Sequence, residues 1–255
     1  MKKIYLYGNW KMNMTSGETK DYFAAMSCAL EDRTVAEYVG KELEIAVFPP
    51  FTSIATAMEK KGRVIVGAQN VYFEHNGAFT GEVSIPMLSE LGCTHVIIGH
   101  SERRSVFNEN DELLARKLKA VLSAKLIPVF CYGEKLEERE SGKTYDVIKE
   151  QLTLGISKLS KDEIESIVFA YEPVWAIGTG KTATPQEAEE ACEYSRNLIY
   201  KLSNGAGRII ILYGGSVKPE NAKELLSLPD IDGVLVGGAS LKVESFLNIF
   251  KSYKK

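Results

Sequence analysis

The sequence predicts an α/β protein built as one (β/α)8 barrel, with residues 1–255 forming a single catalytic domain, and three observations carry that prediction. Eight short runs are apolar throughout, as strands covered on both faces must be. Each is followed by helical periodicity, so consecutive strands are joined by crossovers and run parallel. No low-complexity linker divides the 255 residues, a length that suits one large barrel. The main rival is an open doubly wound sheet. Its Gly-x-Gly-x-x-Gly turn after the first strand is missing, because that turn reads Gly8-Asn9-Trp10-Lys11.

Strand one is Ile4 to Gly8, and an amphipathic helix opens at Thr15-Ser16 and runs to about Leu30. Strand two, Leu43 to Phe48, is halted by Pro49-Pro50, after which Thr52 or Ser53 caps a helix to Lys61. Val64 to Ala68 is strand three. The connection that follows, Gln69 to Ser84, is long for a compact domain and carries Asn76-Gly77 and Gly81, which suits a segment with a purpose such as reaching a partner. Strands four to eight are Thr94–Ile98, Ile127–Cys131, Ile167–Tyr171, Arg208–Leu212 and Gly233–Val236. Helices are expected at Asp111–Ala124, Tyr145–Leu159, Thr184–Leu202, Pro219–Leu226 and Val243–Phe250, with a shorter acidic turn near Lys135 to Glu140; Glu134 to Glu140 reads as a solvated helical face.

Composition excludes several functions. With 31 basic and 34 acidic residues interspersed, there is no field to attract nucleic acid. No apolar window is long enough to span a bilayer, and Tyr7, Gly8, Asn9 and Lys11 break up any secretory apolar segment after Met1-Lys2-Lys3. Cys28, Cys93, Cys131 and Cys192 are far apart and sit in apolar segments, so buried free thiols in a reducing cytoplasm are expected and no disulfide.

In such a barrel the chemistry lies at the carboxyl ends of the strands, so the polar residues just past each strand are the ones to collect. These are Asn9 and Lys11 after strand one, His100-Ser101-Glu102 after strand four and Glu172 after strand six, with Gly214-Gly215-Ser216 after strand seven and Gly237-Gly238 after strand eight. Singly, each has a bland reading as a solvated charge, a core histidine or a tight turn. Together at one rim they point to a site. The two glycine-rich turns occupy the place where barrels commonly hold phosphate through backbone N–H groups. Glu172 and His100 then supply a general base and a proton donor, with Lys11 lending positive charge to a developing oxyanion, which suits proton abstraction beside a carbonyl. Gly178 and Gly180 follow Glu172 in a stretch that reads as a lid.

Asn9-Trp10-Lys11, Gly99 to Arg104, Tyr171 to Lys181, Tyr213-Gly214-Gly215-Ser216 and Gly237-Gly238, in that order along the whole chain, resemble the triosephosphate isomerase family. The third loop is similar as well, in Gln69-Asn70-Val71 and Gly77 to Glu82. The resemblance implies interconversion of dihydroxyacetone phosphate and glyceraldehyde 3-phosphate through an enediol, with no metal and no organic cofactor. It implies Glu172 as base, a neutral His100 as electrophile, and electrostatic help from Asn9 and Lys11; this family is itself the known case of such histidine tuning. By the same resemblance, N–H groups of Gly178, Ser216 and Gly238, with Gly237 alongside, hold the phosphate, and the loop from Pro173 to Ala183 closes over it. A homodimer is implied too, through the Gln69–Ser84 loop, with Thr80 reaching the partner's active site near Lys11. Three rivals share parts of this pattern. A metal-dependent epimerase needs more His and Asp ligands than His75, His95 and His100 provide; a Schiff-base aldolase needs a neutral lysine, whereas Lys11 beside Glu102 stays paired; and a phosphosugar-binding barrel has no use for base, acid and lid together.

Overall fold

The apolar runs do pair side by side, all parallel. The structure, a computed structural model, describes residues 2–177 and 182–254. The first half of the chain gives β1 (Ile4–Asn9), α1 (Ser16–Ala29), α2 (Arg33–Ala36), β2 (Leu43–Phe48), α3 (Ile54–Lys60), β3 (Ile65–Val66) and α4 (Ile85–Glu90). It continues with β4 (His95–Ile98), α5 (Ser101–Ser105), α6 (Asp111–Ser123) and β5 (Ile127–Tyr132). Then come α7 (Leu136–Glu140), α8 (Thr144–Ile156), α9 (Lys161–Glu165) and β6 (Val168–Tyr171). The last elements are α10 (Pro185–Leu202), β7 (Ile210–Tyr213), α11 (Pro219–Leu226), β8 (Gly233–Val236) and α12 (Val243–Lys254).

Strand order is β3-β2-β1-β8-β7-β6-β5-β4. The two remaining edges meet through a parallel bridge of Ala68 with Val96, where Ala68 N donates to His95 O (2.9 Å) and Ile97 N to Ala68 O (2.8 Å). That bridge brings the sheet round into a nearly closed barrel. Helices surround it, with α1 against α3, α6 against α8, α8 against α10 and α11 against α12. Their starts are set locally: Thr184 and Glu187 cap α10 reciprocally, and Asn110 Oδ1 accepts from Leu113 N to open α6.

Side-chain alternation divides the apolar residues into two cores. Tyr5, Tyr7, Val129, Cys131, Val168, Ala170, Ile210 and Leu212 belong to the cluster inside the barrel, while Phe130, Tyr132, Phe169, Tyr171, Ile211 and Tyr213 pack outward under the helices. This is why the strand sequences show no polar alternation. Each Val, Leu, Ile or Phe among them, fully removed from water, contributes roughly 1.5–3 kcal/mol. The same parity sends the residue after an outward Tyr171 back toward the barrel axis, which is how Glu172 arrives at its mouth.

Strand positions follow the sequence reading, with shifts that have causes. Strand three is only Ile65–Val66, because the chain there changes partner: Gly67 N still donates to Val47 O on β2, but Ala68 already bonds β4. Strand seven begins two residues later than expected, since Arg196 Nη1 takes the Ile209 carbonyl (2.6 Å) out of any ladder. The long third loop closes on itself through a bridge of Tyr72 with Ser84 and stacks Tyr72 on Phe73 and Phe79 (4.2 and 4.6 Å between centroids). Among the thiols, Cys93, Cys131 and Cys192 are buried as expected, but Cys28 is exposed; it lies on the water-facing side of α1, whose buried positions are Thr19, Tyr22, Phe23 and Met26.

His95 is a structural histidine of the barrel interior, with its Nδ1 2.8 Å from Thr94 Oγ1 and its ring edge-on to Tyr7. Burial pushes its imidazole down to about 4 from 6.5. Above pH 6.5 it is neutral in both the folded and unfolded chain and does not alter stability. As pH falls from 6.5 toward 4 the unfolded chain takes up a proton that the folded one refuses, so stability declines by up to about 3 kcal/mol. His95→Gln should flatten that part of the pH profile in urea unfolding at fixed protein concentration; parallel profiles for variant and parent would contradict it.

Candidate active site

Glu172 is carried to the barrel mouth by β6 and is 2 % exposed. Its N–H donates to Tyr132 O (2.7 Å), extending the β5–β6 ladder by one residue. Its carboxylate is held at both oxygens: Oε2 accepts from Ser101 N (2.7 Å), and Oε1 lies 3.1 Å from His100 Nε2. Opposite the Glu172 carbonyl stands Gly133, at φ +152°, where a Cβ would fall 2.0 Å from that oxygen. Only glycine lets β5 and β6 approach this closely here.

His100 lies two residues past the end of β4 and serves as N-cap of α5, with Nδ1 accepting from Glu102 N at 3.3 Å. A ring whose Nδ1 accepts a hydrogen bond carries its proton on Nε2. That N–H points at Glu172. On the other side of the mouth, Lys11 sits in the left-handed region (φ +53°), held there by Asn9 Oδ1 accepting from its N–H (3.0 Å) and by Gln69 Nε2 donating to its carbonyl (2.8 Å). Lys11 Nζ pairs with Glu102 Oε1 at 2.7 Å, the partnership expected from the sequence. Asn9 is buried at the end of β1.

These groups line one cavity of about 260 Å³. Asn9, Lys11, His100 and Glu172 line it together with Gly214, Gly215, Ser216, Gly237 and Gly238. Gly238 opens a turn of 3-10 helix (Gly238–Leu241), and α11 starts two residues beyond Val217, so both glycine loops lead into helical N-termini. Lys11 Cε is close to Gly237, 3.4 Å from where a Cβ would stand. The cavity thus brings a carboxylate and an imidazole together with two glycine-rich loops and an ammonium. Among the described residues no group of three or more His, Cys, Asp or Glu side chains could hold a metal ion.

Gly178, Thr179, Gly180 and Lys181 lie outside the described residues, and with them the expected lid tip. One expectation needs correction. Glu134, read from sequence as the start of a solvated acidic face, is fully buried. Its carboxylate accepts from Tyr171 Oη (3.0 and 3.1 Å) and from Trp175 Nε1 (2.9 Å), with Arg139 3.6 Å away. Burial raises its carboxyl above the usual range against the pull of those bonds. The apolar run before it, ending in Cys131-Tyr132-Gly133, is the signal that Glu134 belongs to a strand end like Glu172. Sequence reasoning also missed Gln69, which seats Lys11, and Lys218, which lines the cavity next to Ser216. A lysine directly after Gly-Gly-Ser-Val at a strand end was the available hint. Cys131 has the packing role expected of it, wholly buried inside the barrel, where burial and the neighbouring Glu172 raise its thiol pKa.

Comparison with known proteins gives one answer throughout. The family model described as Triosephosphate isomerase matches residues 4–253. Triosephosphate isomerase of Carboxydothermus hydrogenoformans is 48 % identical over 255 residues, covering 98 % of this chain and 99 % of that protein. That of Alkaliphilus metalliredigens is 48 % identical over 253 residues, with 98 % and 99 % covered, and that of Finegoldia magna 46 % over 251 residues, with 96 % and 97 % covered.

Proposed function

The chain belongs to the triosephosphate isomerase family, and from that premise we propose how its residues interconvert dihydroxyacetone phosphate and D-glyceraldehyde 3-phosphate. It is an aldose–ketose isomerase acting in glycolysis and, in reverse, gluconeogenesis. In our reading one barrel domain, 1–255, carries the whole activity. Glu172 leaves the Ser101 N–H, takes a proton from the carbon beside the carbonyl, and returns it to the neighbouring carbon. Electrons released from the C–H bond move to the carbonyl oxygen, where His100 Nε2–H donates and the Lys11 ammonium stabilises the charge, with Asn9 assisting. By taking up the Nε2 proton that oxygen becomes a hydroxyl of an enediol. As Glu172 returns its proton to the neighbouring carbon, His100 recovers a proton from the other hydroxyl, whose oxygen becomes the new carbonyl, and the sequence runs in either direction. Ser216 and Gly238 N–H groups, Gly237 and, by the family resemblance, Gly178 bind the phosphate; no cofactor or metal enters this scheme.

The observation that carries this assignment is the 3.1 Å approach of His100 Nε2 to Glu172 Oε1 in a cavity also lined by Lys11, Ser216 and Gly238. An acid and a base meet there in the same cavity as loops suited to an anion. A coupled assay on the purified protein with each triose phosphate tests it, and absence of turnover in both directions would overturn it.

We also propose a cytoplasmic homodimer formed through the Gln69–Ser84 loop. Around that loop the surface carries exposed apolar side chains: Met12 is 94 % exposed, Phe107 61 % and Phe79 40 %. They belong to neighbouring segments, since Gln69 bonds the Lys11 carbonyl, and Arg103 lies over the Phe107 ring while Lys117 bonds Asn70. Thr80 is exposed on the same loop, free to reach a partner's Lys11. Among the described residues no helix is long and apolar enough to cross a membrane. Deleting residues 74–80 should give a monomer by sedimentation with much reduced turnover; a fully active monomer would sink the dimer's role.

A further inference from the structure

We propose that Arg104 is a positioning residue for the isomerisation, tying the ends of β4 and β5 together so that His100 and Ser101 keep their place against Glu172. The proposal rests on the roles given above to those three residues.

The β4–β5 ladder ends at Ile98 beside Phe130. The next residue on each strand, Gly99 and Cys131, has a carbonyl beyond the last paired rung. Arg104 takes both: Nε donates to Gly99 O (2.9 Å) and Nη2 to Cys131 O (3.1 Å). Its third nitrogen, Nη1, pairs with Asp111 Oδ1 at the first residue of α6 (2.5 Å). The guanidinium thus replaces a missing rung and is itself braced by the next helix. Gly99 makes this closure possible. At φ +76° the chain turns out of β4, and a Cβ there would stand 3.0 Å from Cys131 O and 3.2 Å from Arg104 Nη2.

Both catalytic groups are tied to residues adjoining the two carbonyls that Arg104 holds. Gly99 is followed by His100 and by Ser101, whose N–H donates to Glu172 Oε2; Cys131 is followed by Tyr132, whose carbonyl accepts from Glu172 N at 2.7 Å. The segment from Gly99 to Arg104 is a small loop closed by its own last side chain. With only five helical residues, α5 is too short to fix its position by its own ladder, so its placement depends on what pins its ends. A planar fork can reach two carbonyls and a carboxylate at once, and a lysine cannot. Loss of the fork should therefore displace the acid relative to the base while leaving the phosphate loops, on β7 and β8, untouched.

The test uses the full-length protein with Arg104→Lys and Arg104→Ala. A shift of about 1 Å between acid and base is expected to cut kcat about 10- to 100-fold with KM nearly unchanged, since substrate binding rests on the phosphate loops. Guanidinium ion, added well below denaturing concentrations, should restore part of the kcat of Arg104→Ala, whereas methylammonium at equal ionic strength should not. The His100 ring nitrogen resonances should move in both variants and return toward the parent with guanidinium. If Arg104→Ala does not fold, Arg104→Lys decides by its kcat and its His100 resonances. A folded variant with parental kcat, or a loss fully accounted for by its unfolded fraction with His100 resonances unchanged, would overturn the proposal. Parental activity reports separately on the isomerase reading: an inactive parent removes that reading, and an active parent with an unaffected variant removes only the role of Arg104.

Discussion

Glu172→Gln is expected to lower kcat by at least the roughly 10²–10⁴-fold that a positioned general base supplies, with the fold and the affinity for inorganic phosphate preserved. The amide fills the same space and its oxygen can still accept from Ser101 N, so the 2.7 Å contact that seats the side chain survives. What is lost is the ability to take a proton from carbon. The residues proposed to hold phosphate, Ser216, Gly237 and Gly238, stand in loops after β7 and β8, away from the substituted carboxylate. Steady-state kinetics, a circular dichroism spectrum and inhibition by inorganic phosphate measure the three parts of this expectation. Near-parental turnover would place the base elsewhere, and the only other carboxylate near His100 in the described site is Glu102, which Lys11 already engages.

Much of this site was legible in the sequence because a parallel barrel turns chain order into spatial convergence. Once eight apolar runs are strands, Asn9, His100, Glu172, Ser216 and Gly237 must stand at one rim, whatever the details of the loops. What escaped was set by tertiary contacts with no local signature. Glu134 reads as one of several acids before Glu140, and only the packing of Tyr171 and Trp175 over it makes it a buried acceptor. Gln69 looks like a polar residue opening a long loop, yet it bonds the carbonyls of both Lys11 and Phe48. The truncation of β3 likewise comes from a change of partner strand, which no pattern of hydrophobicity encodes. Cys28 shows the opposite error: apolar neighbours in sequence suggested burial, but the helical period turns it to solvent.

The buried cluster behind the third loop should give a large stability effect from a single substitution outside the site. Lys117 on α6 is 1 % exposed and donates to Glu109 Oε1 (2.7 Å) and Asn70 Oδ1 (2.8 Å), while Arg103 Nε also donates to Glu109 Oε1 (2.6 Å). One carboxylate thus balances two cations and joins α5, α6 and the start of the loop proposed to dimerise. Glu109→Ala would leave the Lys117 ammonium buried with a single neutral acceptor, and breaking such a pair from one side costs about 3–5 kcal/mol. Burial already lowers the Lys117 pKa from 10.5, with Glu109 resisting; without Glu109 the folded variant sheds that proton at lower pH than the unfolded chain does. The variant's deficit should therefore shrink as pH is raised toward 10.5. Glu109→Leu combined with Lys117→Met removes both charges and should recover much of the loss, because an apolar pair of similar volume avoids desolvating either ion. Urea unfolding at fixed protein concentration gives all three values. A Glu109→Ala variant within about 1 kcal/mol of the parent at neutral pH would mean that water, not Glu109, balances Lys117.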